Sequence, residues 1–165
     1  MNQGMRKQDG IAAQARQIEV DQTFDAIIVG AGFAGMYMLH CLRKIGLSTC
    51  VFETGSGVGG TWYWNRYPGA RCDVESMQYS YSFSEKLDQD WSWSEKYSPQ
   101  PEILAYANHV ADRFDLRKDI RFDTKVTAAT FDSKLKKWTV KTDRGDRVRA
   151  QFCIMAVGCL SAANM

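Results

Sequence analysis

The sequence predicts an α/β fold, with a parallel sheet built on a βαβ unit and a small antiparallel β addition after it. Three observations predict this class. The run FDAIIV at residues 24–29 is apolar, rich in β-branched residues and followed by glycines, as expected of a buried strand that ends in a tight turn. Apolar residues then recur at helical spacing, and a second apolar run follows at residues 47–52. Strand, helix and strand over so short a distance form a βαβ unit, because parallel neighbours require a crossover.

The other elements are predicted from local signals. Gly46 lies where a C-terminal helix cap is expected, just before the second strand. Pro101 lies in the first turn of a second predicted helix, which extends to Phe114. Residues 54–98 show no sustained periodicity, which predicts a long functional loop. Strands of the antiparallel addition are predicted at residues 120–122, 125–131, 137–142 and 147–152, and a buried parallel strand at residues 152–157.

Length and composition limit the possible classes of protein. The chain has 165 residues, enough for one domain; we expect a polar, disordered arm at residues 1–23 and the domain at residues 24–165. The net charge of +2 comes from 21 basic and 19 acidic residues spread along the chain, which disfavours nucleic acid or a membrane surface as partner. No apolar run approaches the roughly 18 residues of a membrane helix. Five cysteines without a CxxC pair disfavour a metal site or a disulfide framework and favour a cytoplasmic location.

A glycine-rich turn follows the first predicted strand. Residues 30–35 read GAGFAG, which is the GxGxxG pattern. Gly30 permits the tight turn, Gly32 lets the backbone approach a pyrophosphate, and Gly35 lets the helix pack on the strand. Glu53 ends the second strand, where a carboxylate can accept hydrogen bonds from ribose hydroxyls. Because an acid here disfavours a 2′-phosphate, these residues predict a Rossmann-like site for FAD or NAD.

A second glycine pair distinguishes the two cofactors. Gly59 and Gly60 come soon after Glu53 and lead directly into an aromatic segment, Thr61–Trp64. An NAD enzyme usually continues with further alternating strands and helices at this point. Here the glycines permit close backbone approach, and the rings can shield a flat ring system from water. The arrangement therefore favours a flavin.

Residues 60–73 contain a longer pattern, GxWxxxxYPGxxxD, formed by Gly60, Trp62, Tyr67, Pro68, Gly69 and Asp73. This pattern resembles the signature of the flavin-dependent type I Baeyer-Villiger monooxygenases. The segments ARCDVESMQYSYSF, SEKYSPQPEILAY and HVADRFDLRKDIRFDTKVTAA are also similar to the front part of such enzymes, close to the phenylacetone and steroid monooxygenase branch. The resemblance extends from about residue 24 to residue 164.

The resemblance implies an enzyme with two dinucleotide cofactors, FAD and NADPH, that converts ketones to esters or lactones. NADPH reduces the flavin, O2 adds at its C4a carbon, and the resulting C4a-peroxyflavin attacks the ketone carbonyl. The implied partners are the ketone, O2 and the remainder of the enzyme chain.

The resemblance also assigns roles to residues. It places Gly30, Gly32, Phe33 and Gly35 at the FAD pyrophosphate and Glu53 at the ribose. The other predicted cofactor-binding residues are Gly59, Gly60, Thr61, Trp62, Tyr63, Trp64, Asp73 and Tyr79 at the flavin, the backbone of Val126 at adenine, and Arg71, Cys72 and Asp73 at the nicotinamide. Asp73 is also the predicted catalytic residue. In the family this acid orients an arginine that stabilises negative charge on the substrate oxygen, and that arginine lies outside this chain.

The sequence departs from the family in one respect, which leaves alternatives open. The second GxGxxG and the FxGxxxHxxxWP signature of the family are not present, so we expect an incomplete fold and a chain that is inactive alone. A non-catalytic dinucleotide-binding module and an N- or S-oxidising flavin monooxygenase are the alternative functions. For Asp73 the alternative is a structural role, as a helix cap or as an ion-pair partner of Arg66 or Arg71.

Overall fold

The structure, a computed structural model, describes residues 22–160 and is built around one six-stranded sheet. The strands are β1 (Gln22–Val29), β2 (Thr49–Phe52), β3 (Ile120–Arg121), β4 (Val126–Asp132), β5 (Lys137–Thr142) and β6 (Arg147–Met155). The helices are α1 (Phe33–Lys44), α2 (Thr61–Trp64), α3 (Glu85–Asp90) and α4 (Gln100–Arg113), with 3-10 turns at Ser76–Tyr79 and Arg117–Asp119. The strand order is β3-β2-β1-β6-β5-β4.

The parallel half of the sheet confirms the predicted βαβ unit. Strand β1 pairs in parallel with β2 and, on its other edge, with β6. Helix α1 connects β1 to β2 and ends before Gly46, which has a φ of +81°. The amides of Gly46 and Leu47 donate to the carbonyls of Arg43 and Leu42, so the glycine closes the helix as predicted.

The antiparallel half contains β4, β5 and the first part of β6. Two predictions about it are wrong. Residues 120–122 were expected in the antiparallel addition, but β3 lies parallel to β2, because α4 provides the long crossover that a parallel strand needs. Residues 147–152 and 152–157 were expected as separate strands, yet β6 is continuous, since one of its edges pairs with β1 while the other pairs with β5.

Neighbouring residues of β1 point to opposite faces of the sheet, and each face has its own core. Ile28 packs with residues of α1, α4 and β2, and Ile27 packs with residues of β2, β5 and β6. The buried members of the first core include Met36, Leu39, Val51, Ala107 and Ala111, and those of the second include Phe52, Val140, Val148 and Ala150. The carboxyl end of β1 is therefore fixed from both sides.

The end of β6 is less buried than predicted. Phe152 is 49% exposed and Met155 is 59% exposed. Strand β5 pairs only with Arg147–Ala150, so within residues 22–160 the outer edge of the following five residues has no partner strand. The apolar composition of this segment correctly indicates a strand but not its surroundings.

The remaining boundaries also follow from the structure. The segment 54–98 contains α2, α3 and a 3-10 turn, all shorter than a periodicity search can detect. Strand β1 begins at Gln22, so residues 22 and 23 of the predicted arm lie in the sheet, and residues 1–21 lie outside the described part. Among the helices of residues 22–160, none is long and apolar enough to cross a membrane.

Candidate cofactor-binding site

A cavity of about 1090 Å³ opens at the carboxyl ends of β1, β2 and β6. In open α/β sheets this edge is where ligands bind. Predicted site residues that line the cavity are Gly30, Gly32, Phe33, Glu53, Gly59, Gly60, Thr61, Trp62, Trp64, Tyr79 and Val126. The volume slightly exceeds the range of roughly 300–1,000 Å³ that is typical of small-molecule sites, so the cavity can accommodate a large organic ligand.

The first glycine turn brings the start of α1 to the cavity. Gly32 is the N-cap and offers no side chain to the amides of the first helical turn, which leaves them available to an anion. Gly35 does not line the cavity. A Cβ on Gly35 would lie 1.9 Å from the Gly30 carbonyl oxygen, so this glycine permits the helix to pack directly on the turn.

The second glycine turn packs against the first. The Gly59 amide donates to the Ala31 carbonyl at 3.0 Å. Gly60 has a φ of +55°, and a Cβ there would lie 2.9 Å from the Gly32 Cα, too close for any side chain. The two turns thus form one glycine-lined wall at which a ligand can approach the backbone.

Glu53 joins the first turn to the segment that follows β2. Its side chain is 6% exposed, and its two carboxylate oxygens accept the amides of Ala31 and Gly55, each at 2.7 Å. Two charge-assisted hydrogen bonds fix the carboxylate in place at the end of β2. Each oxygen keeps a free lone pair, so Glu53 can also accept hydroxyl groups of a ligand.

Aromatic rings form the opposite wall of the cavity. Phe33 and Trp62 both pack edge-on against Tyr79, with ring centroids 5.6 and 5.5 Å apart. The Tyr81 hydroxyl donates to the Phe33 carbonyl at 2.5 Å, which ties this wall to the start of α1. Burial raises the pKa of Tyr79, and the nearby Cys72 and Asp73 raise it further, opposed by a hydrogen bond with Trp62.

Tyr63 is placed differently from its neighbours in α2. It does not line the cavity, and its ring packs over the segment 55–57, where a Cβ on Gly55 would lie 2.6 Å from it. The Tyr63 hydroxyl lies 2.7 Å from the Ser56 Oγ. Tyr63 therefore supports the turn after Glu53, while Trp62 and Trp64 face the cavity.

Arg71, Cys72 and Asp73 lie beside the cavity and do not line it. Arg71 pairs with Glu95 at 2.9 Å, and the buried Cys72 thiol lies 3.4 Å from the Ser98 carbonyl oxygen. Asp73 is exposed, and its negative charge lies close enough to the Tyr79 hydroxyl to raise the pKa of that group. Tyr79 connects this segment to the first glycine turn, because it lines the cavity, packs against Phe33 and lies near Cys72 and Asp73.

Some cavity residues were not predicted, among them Tyr37, Gln78, Ser80, Tyr81, Lys125 and the segment 155–158. The segment 155–158 had a usable signal, because an apolar strand that ends near Gly158 repeats the arrangement of β1 and Gly30. Tyr37 lies one helical turn beyond Phe33, so helical spacing could have suggested it. Ser80 and Tyr81 lack such a signal, since they depend on how an irregular segment crosses α1.

Residues 28–109 match the family of NAD(P)-binding Rossmann-like domains. Fold and site together define a Rossmann-like dinucleotide-binding domain with an antiparallel addition, as the sequence predicts.

Comparison with known proteins shows which dinucleotide-binding proteins the chain is similar to. The chain is 51% identical over 140 residues to acetone monooxygenase (methyl acetate-forming) of Gordonia sp. (strain TY-5), covering 85% of this chain and 26% of that protein. It is 49% identical over 146 residues to phenazine N-monooxygenase PhzNO1 of Lysobacter antibioticus, with coverages of 87% and 27%. The solved structure of oxidised steroid monooxygenase bound to NADP superimposes with a TM-score of 0.84 at 64% identity, covering 87% of this chain and 27% of that one.

The chain belongs to the Baeyer-Villiger type of flavin monooxygenases. It spans about a quarter of the length of the relatives it matches.

Proposed function

We propose that this chain is the FAD-binding portion of a flavin-dependent monooxygenase that uses NADPH and O2 to convert ketones to esters or lactones. The observation that carries the proposal is the cavity in which two glycine turns, a fixed carboxylate and an aromatic wall meet. The relative that forms methyl acetate from acetone supports the reaction class. The bound flavin would supply the redox chemistry, accepting hydride and activating oxygen.

The glycine-lined wall binds the FAD pyrophosphate. The free amides at the start of α1, next to Gly32, face the anion together with the partial positive charge of the helix. Glu53 accepts the ribose hydroxyls through its remaining lone pairs. We assign the adenine contact to the backbone of Val126, a residue that lines the same cavity. Gly35 acts behind this wall by letting α1 pack on the turn.

The aromatic wall shields the flavin and limits access of water. Trp62, Trp64 and Tyr79 provide apolar surface, and Thr61 lies between them and the glycines. Tyr63 contributes indirectly, by supporting the turn at residues 55–57. A dry cavity strengthens every electrostatic interaction made within it.

Asp73 orients an arginine supplied by the remainder of the enzyme, and Arg71 and Cys72 border the nicotinamide of NADPH. The geometry leaves the Asp73 carboxylate available to an arginine from elsewhere, because Arg66 and Arg71 have other partners. Arg71 pairs with Glu95, and the Arg66 Nε donates to the Tyr63 carbonyl at 2.7 Å. Because the partner arginine and most of the NADPH site are expected outside this chain, we propose that the 165 residues alone are inactive. We place the enzyme in the cytoplasm, in keeping with its five cysteines without CxxC spacing.

An N-oxidising monooxygenase is the second candidate. A phenazine N-monooxygenase is nearly as similar to the chain as the acetone monooxygenase is, at 49% against 51% identity. The reaction class is therefore decided by parts of the enzyme beyond this cavity.

Reconstitution tests the proposal. Residues 1–165 are fused to the complementary part of the steroid monooxygenase whose structure matches, and the chimera is assayed with cyclic ketones and with phenazine. We expect a yellow protein that oxidises NADPH and forms lactones from the ketones, with the parent enzyme assayed in parallel as the control. A second chimera, completed with the matching part of the phenazine N-monooxygenase, tests the second candidate: NADPH oxidation and N-oxide formation with that partner alone would establish it. FAD binding without NADPH oxidation would indicate a non-catalytic dinucleotide-binding module.

A further inference from the structure

The carboxylate of Asp73 has no side chain to hold it. Within residues 22–160 it forms no hydrogen bond or ion pair, and it is exposed to solvent. An acid that must orient a group from another part of the enzyme needs a fixed position, since a misplaced charge loses most of its effect. In this segment the position has to come from the backbone.

Two buried hydroxyl groups lie where that segment meets the segment before α4. Ser76 is 2% exposed and Ser98 is fully buried. Their Oγ atoms are 2.8 Å apart, and the Ser76 Oγ also accepts the Ser98 amide at 2.8 Å. The Glu95 carbonyl oxygen lies 2.8 Å from the Ser76 Oγ and can accept its proton. This Ser76–Ser98 pair is a fully enclosed polar contact between two irregular segments.

The pair fixes the segment that carries Asp73 at both ends. The Ser98 carbonyl accepts the Cys72 amide at 3.1 Å, immediately before Asp73. The Ser76 amide donates to the Lys96 carbonyl at 2.8 Å. Ser76 also begins the 3-10 turn that brings Tyr79 to the cavity. The same contact thus determines where both Asp73 and Tyr79 lie.

Ion pairs on the surface of this region are weaker constraints. Arg71 pairs with Glu95, and Lys96 pairs with Glu75 at 3.0 Å, but these side chains are about half exposed. Such pairs contribute roughly 0–1 kcal/mol each. Loss of a buried hydroxyl leaves other buried polar groups without partners, which has a larger local effect.

We propose that Ser76 and Ser98 are positioning residues, whose hydroxyl pair holds Asp73 and Tyr79 at the cavity. The importance of this pair for catalysis rests on the proposed function. The positioning itself can be measured on the 165-residue chain without any cofactor, so failure of one proposal is distinguishable from failure of the other.

Amide hydrogen exchange of Ser76→Ala is the first measurement. We expect the amides of Cys72, Ser76 and Ser98 to exchange about tenfold faster or more, while amides of β1 and β6 change only as much as global stability does. Thr142→Ala is the matched control. It also removes a buried hydroxyl that fixes a turn, through contacts with Asp146, but in the antiparallel half of the sheet.

Fluorine NMR of the chain labelled with 3-fluorotyrosine is the second measurement, with the Tyr79 signal assigned by Tyr79→Phe. Asp73→Asn should shift the Tyr79 signal in the wild-type background and in Thr142→Ala. In the Ser76→Ala background the shift should fall by about half or more, because residues of one network are coupled. If Ser76→Ala does not fold, Ser98→Ala provides the same test, since it keeps the backbone contact with Cys72.

Two results would overturn the inference. One is a uniform rise in exchange across the sheet and residues 72–80, which would indicate a general loss of stability. The other is an Asp73→Asn shift at Tyr79 that is the same in the Ser76→Ala and wild-type backgrounds.

Discussion

Gly32 and Gly60 lie in contact, although they belong to two separate turns: a Cβ on Gly60 would lie 2.9 Å from the Gly32 Cα. This contact joins the turn after β1 to the turn before α2. It explains why the chain needs a glycine at both places, and it puts backbone amides and aromatic rings on one cavity.

Replacement of Gly60 by alanine should destabilise the fold more than the unfavourable backbone conformation by itself would. Gly60→Ala combines a φ of +55° with a close contact to backbone. Gly145 has a φ of +88° and no atom within 4 Å of its Cβ position, so Gly145→Ala measures the cost of the backbone conformation only. We expect Gly60→Ala to lose about 1–3 kcal/mol more than Gly145→Ala in urea unfolding. Equal losses would show that the two turns can separate without cost.

Replacement of Glu53 by glutamine should disturb the turn that it holds. A carboxamide has only one acceptor oxygen, so in Glu53→Gln either the Ala31 or the Gly55 amide faces an NH2 group. We expect a loss of about 1–3 kcal/mol in urea unfolding. Glu102→Gln is the control, because Glu102 also accepts two hydrogen bonds, both from Ser94, but at a partly exposed site. Equally small losses of unfolding free energy in the two variants would show that Glu53 does not hold the turn.

His40 should make stability depend on pH. Its ring stacks on Phe83 with centroids 4.3 Å apart, and burial, followed by Lys44 and Arg43, lowers its pKa from the ordinary value of 6.5. Because the unfolded chain then binds a proton more readily, this contribution is complete above pH 6.5 and is lost as the pH falls below that value. The urea midpoint of His40→Gln should fall less than that of wild type between about pH 8 and pH 5. Parallel pH profiles would contradict the expectation.

The exposed end of β6 should promote self-association. Phe152→Thr replaces one residue of high strand propensity by another and removes half-exposed apolar surface, so stability should change by less than about 1 kcal/mol while sedimentation shows less oligomer. Phe52→Ala, at a fully buried site, should instead cost about 3–5 kcal/mol. A large loss of stability in Phe152→Thr would mean that the residue packs in a core.

The parts of the fold that the sequence predicts correctly have strong local signals. Strand β1, the glycine turn, α1 and Gly46 follow one another in a fixed order, and Pro101 marks the start of α4. Strand β3 could not be placed from its sequence, because it has two residues and its partner is decided by the α4 crossover. The continuity of β6 was missed for a similar reason, since its pairing with both β1 and β5 is a tertiary property.

The same distinction applies to the site. Glu53 and the glycines directly follow buried strands, so their position on one edge of the sheet can be inferred from the sequence. The position of Tyr63 behind the wall cannot, because α2 is a single turn whose four residues give no reliable periodicity. Ser76 and Ser98 likewise become neighbours only when two irregular segments meet.

Whether the cavity binds FAD is decided by titration of the folded 165-residue chain with FAD, with NADPH as the competing ligand and flavin fluorescence as the signal. The cavity predicts one FAD bound per chain, affinity weakened at least about tenfold in Gly60→Ala and Glu53→Gln, and no change in Gly145→Ala. A folded chain that binds no FAD, or one whose affinity is the same in Gly60→Ala and Glu53→Gln as in wild type, would contradict it.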